Sequence, residues 1–504
     1  MLLQIDRKAA QPVYLQIKEQ IVALIRAGKL RSGDRLPSSR ELSRQLDIAR
    51  KTVLAAYLEL SAEGWIDSRP GSRTYVAQEL PGEVMERAVP AWEEASAVPS
   101  ADAASKMDWH EYAFRGEGFA LPRYYEKWKG EEPYVSFAKA LPDPRQFPFG
   151  RVKRIASQLL WEPREFFFDY GHPQGYAPLV EHLEEALARD RVDMREGTNE
   201  VVLVNGFQSG FNLLLTLLYR ADTVLAVENP TYASILNCLI ARRLPYVGIP
   251  MEADGMDVDY LASVLKKAKV SAIVTIPDLH NPTGAMMSRE KRQRLIRLAQ
   301  RHSVPIIEDA WAFFLRSDGL RLPSLKALDS GGHVFLVGSF SKSFLPGLRL
   351  GFICTPAEIA LSLVKLKRAT EQSDSHFLQV LLLSFIQKGY MDLHLRKMAR
   401  IYRERTTAME TAMREHLPKS FRWQKPAGGF SFWVEMPEKL LSVPLLQRAV
   451  EHGVDFASSN FFYHDKQDSH FIRLAFSMLT QQEIRSGMKR LGQAIRAFGA
   501  GGKR

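Results

Sequence analysis

Apolar positions in the first 60 residues recur at the spacing of helices. Between residues 12 and 27 they repeat every three or four positions, and a glycine follows as a stop. Ser38 and Glu41 have the capping-box spacing that opens a second helix. Residues 50–60 resume the helical period after a short break. We therefore predict three helices, with a tight turn between the last two.

Residues 64–76 change to an alternating period. Two short runs, 64–68 and 73–76, flank a turn that contains proline and glycine, as in a small hairpin. Two helices joined by a tight turn form a helix-turn-helix, whose second helix presents its N-terminal side chains to base edges in the major groove. The hairpin would be a wing. Residues 1–78 are therefore predicted to bind double-stranded DNA.

The charge of this head agrees with that prediction. Residues 29–51 hold seven Lys and Arg against three Asp and Glu, an excess where phosphates would lie. The candidate DNA contacts are Arg40, Arg50, Lys51, Thr52 and Arg73. Arg50 and Thr52 are expected nearest to base edges, and the others on phosphates. A solvated surface charge explains each candidate singly as well as a DNA contact does, so the order of the elements is the stronger argument.

The segment 79–132 is predicted to be a flexible linker. It holds 6 Lys and Arg against 12 Asp and Glu, with scattered prolines and an Ala- and Ser-rich run. An aromatic cluster in its second half is expected to pack on the large domain or on a dimer partner. The whole chain carries a net charge of +11, so the excess of basic residues lies in the head and in the large domain. The acidic linker separates these two basic parts.

Strand-like and helix-like segments alternate through residues 133–504. The predicted strands are residues 201–204, 223–228, 246–250, 272–277, 304–309 and 334–338. Helical patterns fill most of the intervals, so we predict an α/β domain with a mostly parallel sheet and helices on its faces. In such folds, ligands bind at the carboxyl ends of the strands.

Five of these strands are followed by residues that carry chemistry. Residues 205–210 open a helix after the first strand, where backbone N–H groups bind anions. Tyr232 offers a ring that would stack on a flat cofactor, and Asn281 supplies an amide. Glu308 and Asp309 end another strand, and a buried carboxylate there needs a cationic partner. Turn chemistry or core packing explains each feature taken alone.

Lys342 lies in the loop after the last predicted strand. Ser339, Ser341 and Arg349 flank it and can donate hydrogen bonds to a phosphate. A lysine amine attacks an aldehyde when partial desolvation lowers its pKa toward neutrality. Alone, such a lysine is most simply a solvated surface charge. The five strand ends together supply what pyridoxal phosphate needs: an imine-forming lysine, a carboxylate for the ring nitrogen, and anchors for the phosphate and the phenolic oxygen.

Two resemblances agree with these predictions. The stretches RLPSSRELSRQL, RKTVLAAYLELSAEGWI and SRPGSRTYV resemble the winged helix-turn-helix domain of the GntR family of bacterial regulators. Residues 137–495 resemble the fold-type I aminotransferases, which implies a mostly parallel sheet and a smaller C-terminal α+β subdomain. A GntR-type head joined to such a domain is similar to the MocR group of bacterial regulators.

The aminotransferase resemblance implies a role for each residue of the predicted site. Lys342 would form the internal aldimine, Asp309 would pair with the pyridine nitrogen, and Asn281 would reach the phenolic oxygen. Arg473 would bind the α-carboxylate of a small amino compound, a task suited to its bidentate fork. The predicted cofactor-binding residues are Phe207, Gln208, Tyr232, Asn281, Asp309, Ser339, Ser341, Lys342 and Arg349.

One position departs from the family. Two residues after the pyridine aspartate the family usually has a tyrosine that helps to hold the phenolic oxygen, and here it is Trp311. The indole offers only a donor N–H and is bulkier, which affects the cofactor and the size of the pocket.

The resemblance to the MocR group implies a head-to-tail homodimer that regulates transcription from an operator. Its large domain would sense an amino compound or pyridoxal phosphate itself. A true aminotransferase with an accessory head is the alternative, since the segment Asn281 to Gly284 is of the type found in working enzymes. A large domain that has lost the cofactor is the third interpretation, and Trp311 is the residue that keeps it open.

Composition excludes other classes. No apolar run reaches the ~18 residues that span a bilayer, and the N-terminal residues lack the apolar core of a signal peptide. We therefore expect a cytoplasmic protein with no membrane contact. The two cysteines, Cys238 and Cys354, lie within apolar segments, so neither a disulfide framework nor a metal site is expected.

Overall fold

The computed structural model describes two units, Met1–Ala113 and Phe114–Arg504. The described residues are 3–6, 11–68, 74–78, 80, 130–161, 170–315, 322–465 and 467–501. Most of the predicted linker, including its aromatic cluster, lies outside them. The predicted domain limits of 1–78, 79–132 and 133–504 stay predictions.

The described residues of the first unit form three helices and a two-stranded sheet. Its elements are α1 (Val13–Arg26), α2 (Ser39–Gln45), α3 (Arg50–Ala62), β1 (Ile66–Ser68) and β2 (Thr74–Val76). The strands are antiparallel, and Ile66 pairs with Val76. The buried residues Ile17, Ile21 and Val53 form part of one core that joins the helices to the hairpin.

The capping box predicted for α2 is present. The Glu41 N–H donates to Ser38 Oγ at 3.2 Å, and the Ser38 N–H donates to Glu41 Oε2 at 2.7 Å. Tyr57 on α3 donates its hydroxyl to the Pro37 carbonyl at 2.7 Å, which fixes α3 against the start of α2. The capping box thus fixes the start of α2, and the Tyr57 contact links that start to α3.

The second unit contains two sheets. Its first strand, β3 (Val135–Phe137), belongs to the smaller one. The larger sheet consists of β4 (Asn199–Val204), β5 (Leu225–Asn229), β6 (Tyr246–Glu252), β7 (Gly255–Met256), β8 (Ala272–Thr275), β9 (Ile306–Ala310), β10 (Val334–Ser339) and β11 (Gly351–Pro356). Its strand order is β4-β11-β10-β9-β8-β5-β6-β7.

Most strands of the larger sheet point in the same direction. The pairs β10/β9, β9/β8, β8/β5 and β5/β6 are parallel, whereas β11 is antiparallel to both of its neighbours and β7 is antiparallel to β6. The predicted α/β fold with a mostly parallel sheet is confirmed. The sequence analysis did not predict β11, which follows the lysine loop directly.

The smaller sheet consists of β12 (Arg422–Trp423), β13 (Ser431–Glu435), β14 (Val454–Ser458) and β15 (Phe471–Ala475), together with β3. Its order is β12-β13-β15-β14-β3, so β15 is an interior strand. Phe432, Phe456 and Ile472 are fully or almost fully buried in its core. This is the predicted α+β subdomain.

Helices cover both sheets. They are α4 (Phe149–Trp161), α5 (Ala177–Arg189), α6 (Gly206–Leu218), α7 (Ala233–Ala241), α8 (Val258–Lys267), α9 (Arg289–His302), α10 (Leu325–Leu328), α11 (Ala357–Glu371), α12 (His376–Gln387), α13 (Tyr390–His416), α14 (Ser442–Glu451) and α15 (Gln481–Gly501). Among the described residues, no helix is long and apolar enough to cross a membrane.

Candidate functional site

All nine predicted cofactor-binding residues line one pocket of the second unit. The pocket lies at the carboxyl ends of strands in the larger sheet, because each of these residues ends a strand or follows one in the chain. It is also lined by Ala140, Leu141, Leu279, His280, Gly284, Trp311, Pro346, Gly428, Gly429, Phe430 and Ser431. The fold therefore brings together residues that lie as far apart in the sequence as Ala140 and Ser431.

Lys342 follows β10, and its Nζ donates to the carbonyl of Ala140 at 2.7 Å. Burial, together with the nearby positive charge of Arg473, lowers the pKa of its amine to about 8, whereas Asp309 opposes the change. A neutral amine is the nucleophile that attacks an aldehyde. The environment of Lys342 is thus suited to covalent attachment of a carbonyl compound.

Asp309 lies within β9 and is 2% exposed. Its Oδ1 accepts a hydrogen bond from the Trp311 N–H at 3.0 Å. Burial raises the pKa of the carboxyl to about 8, and the like charges of Glu228 and Glu308 also raise it, while the Trp311 N–H and Lys342 oppose the change. A protonated ring nitrogen beside Asp309 would supply the positive charge that favours its ionised form.

Glu308 precedes Asp309 but serves a different purpose. Its carboxylate accepts hydrogen bonds from the Leu325 N–H at 3.0 Å and the Lys326 N–H at 2.9 Å. Successive side chains of a strand point to opposite faces, so only one of the two neighbouring acids lines the pocket. Glu308 instead holds the first turn of α10 against the sheet.

The N-terminus of α6 lies where the sequence analysis predicts an anion-binding site. Gly206 begins the helix with φ +79°, and a Cβ there would lie 2.9 Å from Arg349 Nη2. Arg349 Nη2 also donates to the Asn205 carbonyl at 3.3 Å. The first N–H groups of a helix have no partner within it, so those of Phe207 and Gln208 are available to a phosphate beside the Arg349 guanidinium.

Arg473 joins the smaller sheet to the pocket. Its Nη1 donates to Asn281 Oδ1 at 3.0 Å, and its Nη2 donates to the Ala138 carbonyl at 2.7 Å. The guanidinium lies over the ring of Phe462, 4.9 Å from the centroid. Burial lowers its pKa to about 10, and its Nε has no hydrogen-bond partner among the described residues. A cation held this way can receive a carboxylate.

A buried polar network behind Asn281 was missed by the sequence analysis. Glu228 accepts hydrogen bonds from Thr275 Oγ1 at 2.6 Å and from the Ile276 N–H at 2.9 Å. His280 Nε2 lies 3.2 Å from Glu228 Oε2, and its Nδ1 lies 2.8 Å from Thr283 Oγ1. These contacts hold the loop that carries Asn281.

Two segments of the pocket wall were also missed. Residues 138–141 contribute backbone carbonyls. Every residue has a carbonyl, so the pattern of side chains does not indicate which of them face a pocket. The pair Gly428 and Gly429 precedes β13, and its backbone packs on Leu279 and Trp311. A glycine pair before a predicted strand is a signal for close backbone approach, so this second segment was accessible to sequence reasoning.

The donor set suits pyridoxal phosphate. The pocket offers an amine with a lowered pKa, a buried carboxylate that favours a positive partner, and a helix N-terminus beside a guanidinium. The buried Trp311 Nε1 has no hydrogen-bond partner within the described part of the chain. That donor is available to an acceptor on a bound molecule.

The predicted DNA contacts belong to the first unit. Arg40, Arg50 and Lys51 are exposed, and Thr52 is half-buried. Arg50 Nε donates to Ser39 Oγ at 3.2 Å, which links the start of α3 to the start of α2. Arg73 lies outside the described residues.

Both units match known protein families. Residues 146–491 match aminotransferase class I and II, and residues 13–76 match the bacterial regulatory proteins of the gntR family. The chain belongs to the aminotransferase class I and II family. Its fusion to a GntR-type head is the architecture predicted from the sequence, that of the MocR-type regulators.

Relatives of both kinds are similar to the chain. The aromatic-amino-acid aminotransferase 1 of Thermococcus litoralis is 30% identical over 367 residues, which cover 72% of this chain and 88% of that protein. The probable rhizopine catabolism regulatory protein MocR of Rhizobium meliloti is 29% identical over 507 residues, covering 99% and 97%. The similarity to a regulator therefore extends over the head and the large domain together.

A solved structure agrees with the cofactor prediction. The α-aminoadipate aminotransferase LysN of Thermus thermophilus, complexed with N-(5'-phosphopyridoxyl)-L-leucine, superposes with a TM-score of 0.70 at 27% identity, covering 78% of this chain and all of that one. Together with the family assignment, this confirms the prediction of pyridoxal phosphate as the cofactor.

Proposed function

We propose that this protein is a transcriptional regulator whose large domain holds pyridoxal phosphate and senses an amino compound or the cofactor itself. The observation that carries the proposal is the pocket around Lys342 in a chain that also has a GntR-type head. A second supporting observation is the similarity to a MocR regulatory protein over nearly the whole chain.

Different residues of the pocket would hold different parts of the cofactor. Lys342 would hold its aldehyde carbon, Asp309 would keep the ring nitrogen protonated, and Tyr232 would face the ring. The N–H groups of Phe207 and Gln208 would hold the phosphate together with Ser339, Ser341 and Arg349. When bound, pyridoxal phosphate supplies a carbonyl that exchanges one amine for another.

Asn281 and Arg473 connect the cofactor to an effector. Because Asn281 Oδ1 already accepts from Arg473 Nη1 at 3.0 Å, a carboxylate that approaches the guanidinium competes with this contact. Asn281 is then free to turn its amide toward the phenolic oxygen. The effector and the cofactor are thereby coupled through one side chain.

The head binds an operator through Arg40, Arg50, Lys51, Thr52 and Arg73. The protein acts in the cytoplasm as a head-to-tail homodimer. An effector changes DNA binding only if it binds two conformations of the protein with different affinity. The linker transmits that difference to the heads.

The experiment combines spectroscopy with DNA binding. Full-length protein is loaded with pyridoxal phosphate, its visible spectrum is recorded, and binding to its own promoter region is measured with and without cofactor and amines. We expect a cofactor absorbance that is lost in Lys342→Ala, and a change in DNA affinity that is lost in the same variant. Lys388→Ala, which alters an exposed lysine of the same unit, is the matched control.

Two results would reject the proposal. Normal regulation by Lys342→Ala under all effectors would show that sensing does not depend on the pocket. Steady multiple-turnover transfer from an amino acid to a keto acid, without any DNA binding, would establish an aminotransferase instead.

A further inference from the structure

The part of the pocket wall that the cofactor does not use is apolar. Once the nine cofactor-binding residues are set aside, the remaining wall includes Ala140, Leu141, Leu279, Trp311, Gly429 and Phe430. The polar exceptions are the indole N–H of Trp311, the ring of His280, which contacts Glu228 and Thr283, and the uncharged Ser431. This surface faces the space left for the side chain of an effector.

The aromatic part of this wall is supported from behind. The rings of Trp311 and Phe430 lie 5.6 Å apart, and those of Phe430 and Tyr402 lie 4.9 Å apart. A Cβ on Gly429 would lie 3.7 Å from the Trp311 indole, so the glycine backbone covers one edge of that ring. The wall is therefore packed in place and does not depend on the cofactor for its shape.

Among the described residues that line the pocket, no cation is left for a second acidic group. Among its described lining residues, Lys342 and Arg349 are the only Lys or Arg, and both are assigned to the cofactor. Arg473 contacts Asn281 at the edge of the pocket and is assigned to one carboxylate. A second carboxylate buried against the apolar wall would lose its hydration without gaining a partner.

The two assigned cations are held by one short segment of backbone. Lys342 Nζ donates to the Ala140 carbonyl, and Arg473 Nη2 donates to the Ala138 carbonyl. These carbonyls are two residues apart, so they are separated by at most about 7 Å. The amine and the carboxylate of one small molecule can therefore reach both cations.

We propose that the effector is an amino acid with an uncharged, apolar side chain, which packs against Trp311 and Phe430 while Arg473 binds its carboxylate. This inference rests on the proposed sensing function and specifies its ligand class. Burial of a leucine-sized or phenylalanine-sized side chain favours such an amino acid by about 10- to 100-fold over one that leaves the wall uncovered.

The test uses pairs of amines that differ in one property. Full-length protein loaded with pyridoxal phosphate is titrated with L-leucine and with L-aspartate, whose side chains have the same branching but differ in charge. L-Phenylalanine tests the size of the side chain, and 5-aminopentanoate, which has no side chain, tests whether one is needed. The readouts are the shift of the cofactor absorbance, the mass of the borohydride-reduced adduct, and binding to the promoter fragment.

One substitution should change the preference. Leu141 lines the pocket and is 38% exposed, so Leu141→Arg adds a cation to the wall at a site that tolerates a long side chain. We expect this variant to bind L-aspartate about 10-fold more tightly than the wild type does. Leu361→Arg, at a 62% exposed leucine of α11 that does not line the pocket, is the matched control and should leave the preference unchanged.

The outcomes separate this inference from the function on which it rests. At least 10-fold tighter binding of L-leucine and L-phenylalanine than of L-aspartate and 5-aminopentanoate supports it. If loaded protein prefers L-aspartate or 5-aminopentanoate, or responds to none of the four amines, the inference is wrong while cofactor sensing stands. If the wild type gives no cofactor absorbance and no reduced adduct at Lys342, the proposed function fails and the inference fails with it.

Discussion

Lys342 should react with the cofactor aldehyde at a much lower pH than an exposed lysine does. Its pKa is lowered from 10.5 to about 8. At pH 7 about a tenth of such amines are neutral, compared with about 0.03% at the ordinary pKa, so the reactive fraction rises about 300-fold. The rate of cofactor attachment should therefore rise with pH along a titration curve whose midpoint is near pH 8, and it should level off above that pH.

Two substitutions should move this midpoint in opposite directions. The charge of Arg473 lowers the pKa of Lys342 and that of Asp309 raises it. Arg473→Gln should therefore shift the midpoint to higher pH, and Asp309→Asn should shift it to lower pH. Because burial is the largest cause, neither variant should bring the pKa back to that of a free lysine.

The assay is stopped-flow absorbance of cofactor-free, full-length protein mixed with pyridoxal phosphate between pH 6 and pH 10. The rate measured in parallel with Nα-acetyl-lysine is used to correct for the pH dependence that arises from titration of the cofactor itself. A wild-type midpoint near 10 would show that the pocket does not desolvate Lys342. A shift of both variants in the same direction would refute the electrostatic argument.

Three further predictions concern the frame of the molecule and its DNA contacts. Lys367 is fully buried, and its Nζ donates to two carbonyls and a buried carboxylate. Lys367→Met should therefore destabilise the large domain by about 3–5 kcal/mol. Urea unfolding measures this loss, and Lys365→Met, at an exposed lysine, is the control. Lys51→Ala should reduce the slope of log K against log salt for DNA binding by about 1, whereas Lys266→Ala in the large domain should not. Ser38→Ala removes an N-cap and should cost the head about 1 kcal/mol, seen as a lower melting temperature of its transition. An unchanged value in any of the three measurements would contradict the contact concerned.

The pocket was predictable from sequence where each residue stands directly after an apolar run. Tyr232, Asn281 and Lys342 all follow such runs, and parallel strands bring their carboxyl ends to one edge of a sheet. Arg473 was different, because its role came from a family resemblance alone. Its contact with Asn281 spans 192 positions and requires the smaller sheet to pack beside the larger one.

The sequence by itself determined the order of the elements, the DNA-binding head and the chemical inventory of the cofactor site, because periodicity, capping and turn residues act over a few neighbouring positions. The choice of Asp309 over the adjacent Glu308 came from a family resemblance, and the tertiary structure gives its physical reason, since the face of the strand decides which of the two lines the pocket. The tertiary structure also decided the lowered pKa of Lys342 and the apolar wall at Trp311 and Phe430. Burial and the approach of distant charges arise when segments far apart in the chain pack together, so no local pattern encodes them.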